Sequence, residues 1–211
     1  MENLIHHLAL VAHTVKTVDR DGKPATAVIA MRSYDTGIND LWNAITTAER
    51  IPRWFMPVEG DLRLGGRYQL QGNAGGTITG CEPPKHLAIS WEYAGDTSWV
   101  DVTLAPEGDD RTRLTLEHVA HVPKEFWDQY GPGAVGVGWD LGLLGLALHI
   151  ETDASNPPEE SAAWMASEDG KGYVRASSDA WCAAVIANGA DPDWAREAAE
   201  RTRRFYTGES G

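Results

Sequence analysis

The most constraining stretch of this 211-residue sequence is "GAVGVGWDLGLLGLALHIE", at residues 133–151. Its apolar residues lie almost all round a helix, and glycines stand at positions 136, 138, 142 and 145. Each glycine lowers intrinsic helix stability by up to about 1 kcal/mol relative to alanine, and a helix apolar all round must be buried on more than one side. We therefore expect one side of this helix to lie on a sheet and a second layer to cover the other.

The strands of that sheet are predicted upstream, as short alternating segments joined by turns. The runs "LALVAHTVKTV" and "TAVIAMRSY" flank "DRDGKPA", whose Asp-Gly predicts a hairpin. Alternation in the later strands places Tyr68, Trp91 and His118 on an inward face, which predicts an antiparallel meander with one solvated face. These later strands are "GRYQLQG", "GGTITGCEP", "HLAISWEYA", "TSWVDVTLAP" and "TRLTLEHVA".

Helices are predicted before and after the meander. The stretch "DTGINDLWNAITTAERIPRWF" predicts one helix capped by Asp35 or Thr36 and a second from Thr47 that stops near residues 52–55. The pair Gly65-Gly66 predicts a sharp turn into the next strand rather than a phosphate loop, since no lysine-serine end follows it. Three tail helices are expected in "SNPPEES", "GYVRASSDAWCAAVIANG" and "DPDWAREAAERTRRFYTG".

Composition excludes several classes of function. The net charge of -13 argues against nucleic acid and against anionic membrane surfaces as partners. The two cysteines, Cys81 and Cys182, do not form a secreted disulfide framework and are expected to be reduced. No signal peptide is recognised, and "LGLLGLALHI" is well short of the ~20 residues that span a bilayer. We expect a soluble cytoplasmic protein.

Residues 26–150 resemble the START-like SRPBCC superfamily, in its branch similar to the C-terminal domain of the activator of the large heat-shock ATPase. The resemblance rests on an ordered set of motifs: Arg53-Trp54, "GGRY" at 65–68, "EPP" at 82–84, "TRLTL" at 112–116 and Gly138-Trp139. It implies an α+β helix-grip fold, in which an antiparallel sheet wraps a long C-terminal helix. We expect a domain over residues 1–152, with its N-terminal hairpin, and a helical extension over 153–211 that resembles one seen in some actinobacterial members.

The helix-grip resemblance also implies a cavity between sheet and long helix for an apolar or aromatic ligand. Tryptophan and tyrosine suit such a ligand because they combine large apolar area with one polar atom. The alternative is that the same residues fill a solid core. The predicted lining is Trp42, Trp54, Phe55, Tyr68, Trp91, His118, Trp139 and Leu143.

Polar residues near this lining could carry chemistry. His118 is either a general base or ligand-binding group, or a core histidine with its hydrogen bonds satisfied. Asp140 could pair with His118 or polarise a ligand, or it could face solvent at the start of its helix, where an acid is favoured. His6 and His7 are adjacent and would point apart in a strand, and no cluster has zinc-like spacing, so we expect no metal and no cofactor.

Three functions remain open at this point. The first is a module that binds a small hydrophobic or aromatic ligand and has no assigned reaction. The second is a cyclase-, dehydratase- or hydrolase-like enzyme that uses the same cavity, which needs His118, Tyr68 and Asp140 to converge. The third is a chaperone-activator-like protein-interaction module, which predicts an exposed apolar patch. The helical tail adds the option of a homodimer.

Overall fold

The computed structural model describes residues 2–155 and 157–209. Within these residues, eight strands and eight helices follow one another in an α+β order, with six consecutive strands in the middle and five consecutive helices at the end. The strands are β1 Ala12–Arg20, β2 Lys23–Tyr34, β3 Val58–Gly60, β4 Arg67–Leu70, β5 Gly75–Glu82, β6 His86–Tyr93, β7 Asp96–Pro106 and β8 Thr112–Ala120. The helices are α1 Glu2–Ala9, α2 Ile38–Thr46, α3 Ile51–Trp54, α4 Lys124–Tyr130, α5 Gly133–Thr152, α6 Pro158–Ala166, α7 Glu168–Ala187 and α8 Pro192–Thr207.

All eight strands belong to one antiparallel sheet, in the order β1-β2-β8-β7-β6-β5-β4-β3. The run from β3 to β8 is a meander in which each strand pairs with its neighbour in sequence. The predicted α+β helix-grip class, with its long helix and C-terminal helices, is confirmed.

The two predicted turns have the expected backbone. At the β1–β2 hairpin, Asp21 and Gly22 have φ values of 55° and 74°, as a tight Asp-Gly turn requires. Gly65 has φ 79°, and a Cβ on Gly66 would lie 2.0 Å from the carbonyl oxygen of Asp61. Both glycines bond to Ile78 on β5, through Gly65 N–H to Ile78 O at 2.8 Å and Ile78 N–H to Gly66 O at 2.9 Å. The glycine pair is therefore architectural, as predicted.

Several local predictions were wrong. Residues 2–9 form helix α1, so His6 and His7 lie on a helix and not in a strand. The cap of α2 is Gly37, without a side-chain hydrogen bond, and Thr36 instead donates to the Asp40 carboxylate at 2.9 Å. The second helix begins at Ile51 and not at Thr47. Helix α4 and strand β3 were not predicted.

The chain divides into two compact units. Unit 1 comprises the described residues of 1–30, 121–144 and 158–211, and unit 2 comprises those of 31–120 and 145–157. Helix α5 contributes residues to both. The predicted domain boundary after residue 152 stays a prediction.

In unit 1, the tail helices pack on the N-terminal segment. Helix α7 contacts α1, β1, α6 and α8, and α8 contacts α4. A Cβ on Gly136 of α5 would lie 2.3 Å from the indole of Trp181, which is 1% exposed, so this glycine lets α7 approach α5 closely. Asp191 caps the N-terminus of α8, where its carboxylate accepts from the N–H groups of Asp193 and Trp194, and left-handed Gly208 caps the C-terminus.

Helix α5 is long and apolar enough to cross a membrane by length and composition alone. Its most apolar 18-residue window is nevertheless 61% buried within the protein. A buried core helix of a soluble protein has the same length and composition, and the long helix of the helix-grip fold is such a core helix.

Candidate functional site

In unit 2, helix α3 is attached to the C-terminal end of α5. Arg50 Nε donates to His149 Nε2 at 3.2 Å and its guanidinium pairs with Asp40 at 2.6 Å. Arg53 pairs with Asp153 at 3.1 Å. A Cβ on Gly145 would lie 2.3 Å from the carbonyl oxygen of Trp54, so the two helices meet at this glycine.

This attachment positions two aromatic side chains of the predicted lining. Trp54 Nε1 donates to Ala44 O at 2.9 Å, and its ring stacks on Phe55 with centroids 5.3 Å apart. Phe55 in turn packs against a cluster formed by Tyr68, Leu70 and Ile78. The Arg53-Trp54 motif therefore serves to place Trp54 and Phe55 beside the sheet.

Strand register places one series of side chains on a single face of the sheet, which we call the apolar face. Paired residues of antiparallel strands project to the same side, and the pairs here are Tyr68↔Gly76, Ile78↔Ile89, Ile89↔Val100 and Val100↔His118. Trp91 joins them two residues beyond Ile89. Charged residues of these strands lie at the alternate positions, as in the pairs Arg67–Glu92 and His86–Asp101.

Tyr68 is buried on the apolar face and its phenol donates to the carbonyl oxygen of Ser90 at 2.8 Å. Desolvation on burial, reinforced by the nearby Glu92 charge, raises the pKa of Tyr68 well above its usual value. Tyr68 is therefore a neutral hydrogen-bond donor at neutral pH, and its proton is already directed at the backbone.

His118 is also neutral. Burial lowers the pKa of His118 to about 4. Ser98 Oγ lies 2.7 Å from His118 Nε2 and 3.2 Å from Trp91 O, so a hydroxyl group is within hydrogen-bond distance of the imidazole. The Trp91 and His118 rings lie 6.0 Å apart. His118 thus has the hydrogen-bonded buried position of a core histidine, next to an aromatic ring of the predicted lining.

The structure brings together most, not all, of the eight predicted lining residues. Phe55, Tyr68 and Trp91 belong to one cluster. The Trp54 ring stacks on Phe55, and the His118 ring lies beside Trp91. Trp42 is half-buried on α2. Trp139 and Leu143 lie on the part of α5 that belongs to unit 1. A ligand-binding role for the set stays a prediction.

Two of the expectations for Asp140 were wrong. It is fully buried in unit 1, so it does not face solvent, and its carboxylate pairs with His13 rather than with His118. His13 Nε2 lies 2.9 and 3.1 Å from its two oxygens, Ser177 Oγ donates at 2.5 Å and Trp181 Nε1 donates at 3.0 Å. These donors satisfy the hydrogen-bonding capacity of the carboxylate, which therefore holds α5, β1 and α7 together within unit 1.

The enzyme hypothesis required Asp140 to act with His118 and Tyr68. The Asp140 carboxylate instead accepts hydrogen bonds from three side chains of unit 1, so it does not serve as the acid–base partner of His118 that this hypothesis required. Within the described residues, no group of three or more His, Cys, Asp or Glu side chains is arranged to hold a metal ion. Cys81 and Cys182 are both free and half-buried, as predicted.

The family profile described as "Activator of Hsp90 ATPase homolog 1-like protein" matches residues 35–150, more than half of the chain. The chain belongs to this family. The predicted superfamily is therefore confirmed for the Hsp90-activator-like segment, which includes α2 to β8 and nearly all of α5. The last three helices lie outside the match.

Solved structures are similar to this family member over a longer part of the chain than residues 35–150. The crystal structure of CalU16 from Micromonospora echinospora is 33% identical, over 85% of this chain and 99% of that chain, with a TM-score of 0.66. Its solution NMR structure gives 34% identity over 85% and 97%, with a TM-score of 0.69. Protein MLL2253 from Mesorhizobium loti, 22% identical over 59% and 96% with a TM-score of 0.52, shows the fold alone. No curated protein is significantly similar.

Proposed function

We propose that this chain binds a small, uncharged, apolar or aromatic molecule on the apolar face of its sheet. The observation that carries the proposal is the incomplete burial of β6. Although β6 is a central strand between β5 and β7, its inward residues Leu87, Ile89 and Trp91 are only half-buried. Inward side chains of a central strand are ordinarily packed, so their exposure supports a space that a ligand fills.

The charge of this face supports the choice of ligand. Two titratable side chains of this face, Tyr68 and His118, are neutral near pH 7, because burial raises the pKa of the first and lowers that of the second. A charged ligand would lose its hydration there without gaining an ionic partner from either side chain.

The same groups favour binding over turnover. A general acid or base works best with a pKa near the operating pH, whereas burial moves the pKa values of His118 and Tyr68 away from 7 in opposite directions. The Tyr68 proton is already donated to Ser90. A cytoplasmic location is part of the proposal and rests on the acidic composition and the two free cysteines.

Titration with a neutral probe tests the proposal. N-phenyl-1-naphthylamine is an uncharged apolar fluorophore, and 8-anilinonaphthalene-1-sulfonate is a similar anionic one. We expect the neutral probe to bind more tightly, and Trp91→Ala to weaken its binding by about tenfold or more, which corresponds to about 1.4 kcal/mol. Native mass spectrometry of protein purified from its own host then identifies the natural ligand.

Trp99→Ala is the matched control. Trp99 is another half-buried tryptophan, on the adjacent strand β7, but it pairs with Ser90 and Val119 and so lies on the opposite face. Its substitution should leave probe affinity unchanged. Equal losses in the two variants, or no saturable binding by wild-type protein, would contradict a ligand site on the apolar face.

A further inference from the structure

Helices α7 and α8 of unit 1 border an open cleft of about 290 Å³. The first helix ends at Ala187 and the second begins at Pro192, so the two run antiparallel across a short turn. Side chains one helical turn apart line the cleft from both helices. Neither helix lies within residues 35–150, so the cleft is not a feature that the family profile describes.

One pair of charges in the cleft is already neutralised. Arg203 donates from Nε and Nη2 to the two carboxylate oxygens of Glu200 at 2.9 and 2.5 Å, and Arg204 donates to the same carboxylate at 3.0 Å. The Arg203 contact, supported by that of Arg204, lowers the pKa of Glu200 to about 2. The Glu200–Arg203 pair is therefore a formed wall of the cleft and not an open binding group.

Asp179, on the facing helix, has no such partner. The residue is exposed at the cleft, and its carboxylate makes no hydrogen bond or ion pair with the residues that the structure describes. Partial desolvation raises the pKa of Asp179 and the Glu200 charge adds to the rise, whereas Arg175 and Arg203 oppose it. Because this carboxylate lies among other charges without a donor of its own, a cationic donor placed in the cleft would stabilise it.

A buried hydroxyl group without a partner precedes Asp179 on the same helix. Ser178 lines the cleft and is 2% exposed, and its Oγ has no hydrogen-bond partner among the described residues. An enclosed hydroxyl whose hydrogen bonds are unmade costs free energy, so a polar ligand atom that reaches Ser178 is stabilised.

The Cys182 thiol lies one turn further along α7, where a basic side chain faces it. Desolvation raises the pKa of Cys182, the Asp179 carboxylate adds to the rise, and the Arg196 guanidinium opposes it. The thiol is therefore neutral at pH 7 and has an acidic and a basic side chain nearby. Arg196 contacts Asp193 at 2.6 Å, but these side chains are 66% and 89% exposed, so water weakens the pair and other N–H groups of Arg196 stay open to an anion.

We propose that this cleft binds a small zwitterion, namely a free α-amino acid. The ammonium group of the ligand donates to the Asp179 carboxylate and to Ser178 Oγ, and its carboxylate accepts from Arg196. An α-amino acid carries both of its charges on one carbon atom, which matches two opposite charges that act on the single Cys182 thiol. The site uses no residue of the apolar face, so it does not depend on the function proposed above.

A purely anionic ligand fits the same lining less well. Three arginines line the cleft, which alone would favour an anion. An anion bound to Arg196 would, however, approach the unpaired Asp179 carboxylate, and like charges in one cleft repel. An ammonium group on the same ligand removes this repulsion and supplies the donor that Asp179 lacks.

A screen of the common L-amino acids, each at about 10 mM, tests the proposal through the rise in Tm that binding to the full chain produces. Calorimetry then compares the best amino acid with its N-acetyl derivative, which lacks the ammonium, and with its methyl ester, which lacks the carboxylate. We expect each derivative to bind at least about tenfold more weakly. No stabilisation by any amino acid would overturn the proposal, and an N-acetyl derivative as tight as the free amino acid would overturn it in favour of a plain anion site.

Variants locate the binding in the cleft. Asp179→Asn and Arg196→Gln should each weaken the amino acid by about tenfold. Glu197→Gln is the matched control, because Glu197 is exposed on α8 but does not line the cleft, and its affinity should stay within about twofold of wild type. Without ligand, Asp179→Asn should not lower Tm, since the carboxylate has no donor to lose. Wild-type affinity in Asp179→Asn would contradict the proposed site.

Discussion

His118 illustrates at the residue scale how burial determines what an ionisable side chain can do. Alternation along β8 predicts its inward direction, which the structure confirms. Its neutral state depends on packing that comes from other strands: Ser98 on β7 and Trp91 on β6 surround the ring. The sequence cannot separate a general base from a satisfied core histidine, because that choice depends on these neighbours.

The depressed pKa of His118 predicts a pH-dependent stability. The unfolded chain binds a proton at His118 near pH 6.5, but the native state does so only near pH 4. The free energy of unfolding should therefore fall as pH falls from about 6.5 to about 4, by roughly 3 kcal/mol in total from this residue. Urea denaturation of wild type and His118→Gln at several pH values measures the difference. Identical pH slopes in the two proteins would show that His118 does not cause the loss.

At the scale of elements, the glycines of helix α5 determine which neighbouring segments can pack closely against it. Gly136 faces the buried indole of Trp181, and Gly145 faces the carbonyl oxygen of Trp54. The sequence predicted an all-round buried helix because its apolar residues cover every side. The identity of each neighbour was not predictable, since it depends on contacts between segments far apart in the chain.

Gly136→Ala should destabilise the protein by about 1–3 kcal/mol, because the new Cβ would lie 2.3 Å from a tryptophan ring that is buried on all sides. Gly172→Ala in α7 is the control, since nothing lies within 4 Å of its Cβ position and alanine favours the helix. Chemical denaturation should show opposite signs for the two variants. A neutral Gly136→Ala would mean that α5 and α7 can separate at little cost.

The errors in element prediction concern short elements. Leu4, Ile5 and Leu8 have the spacing of one helix face, but so short a pattern was not recognised when His6 and His7 were predicted in a strand, and a helix forms at residues 2–9. Helix α4 has only seven residues, and much of its support comes from α8, through contacts such as Thr202 to Tyr130 O. Short elements stabilised by distant segments leave weak periodic signals, whereas β4 to β8 and α5 leave strong ones.

At the scale of the whole chain, Asp140 connects segments that are remote in sequence. Its carboxylate lies on α5, and its donors come from β1 and α7. The Tyr173 hydroxyl also donates to its backbone carbonyl at 3.0 Å. An acid on an apolar helix is a detectable signal of a buried network, but the sequence does not identify the donors among so many candidates.

Asp140→Asn should lower the free energy of unfolding by roughly 3 kcal/mol, because a neutral amide accepts hydrogen bonds less strongly and turns its own donors toward existing ones. Asp110→Asn, at an exposed position in the β7–β8 turn, should change stability by less than about 0.5 kcal/mol. Thermal and urea unfolding measure both variants. Equal stabilities would show that the buried carboxylate contributes no net stabilisation.

The arrangement of donors around Asp140 has a consequence for synthesis of the chain. When the ribosome has added residue 150, the family segment is complete, but Ser177 and Trp181 have not yet been synthesised. Until they emerge, the nascent chain carries a carboxylate that lacks two of its three side-chain donors, so unit 1 cannot close from its N-terminus onward as residues appear. Its completion must wait for α7, so the synthesis of residues 168–187 is the step that lets unit 1 reach its native state.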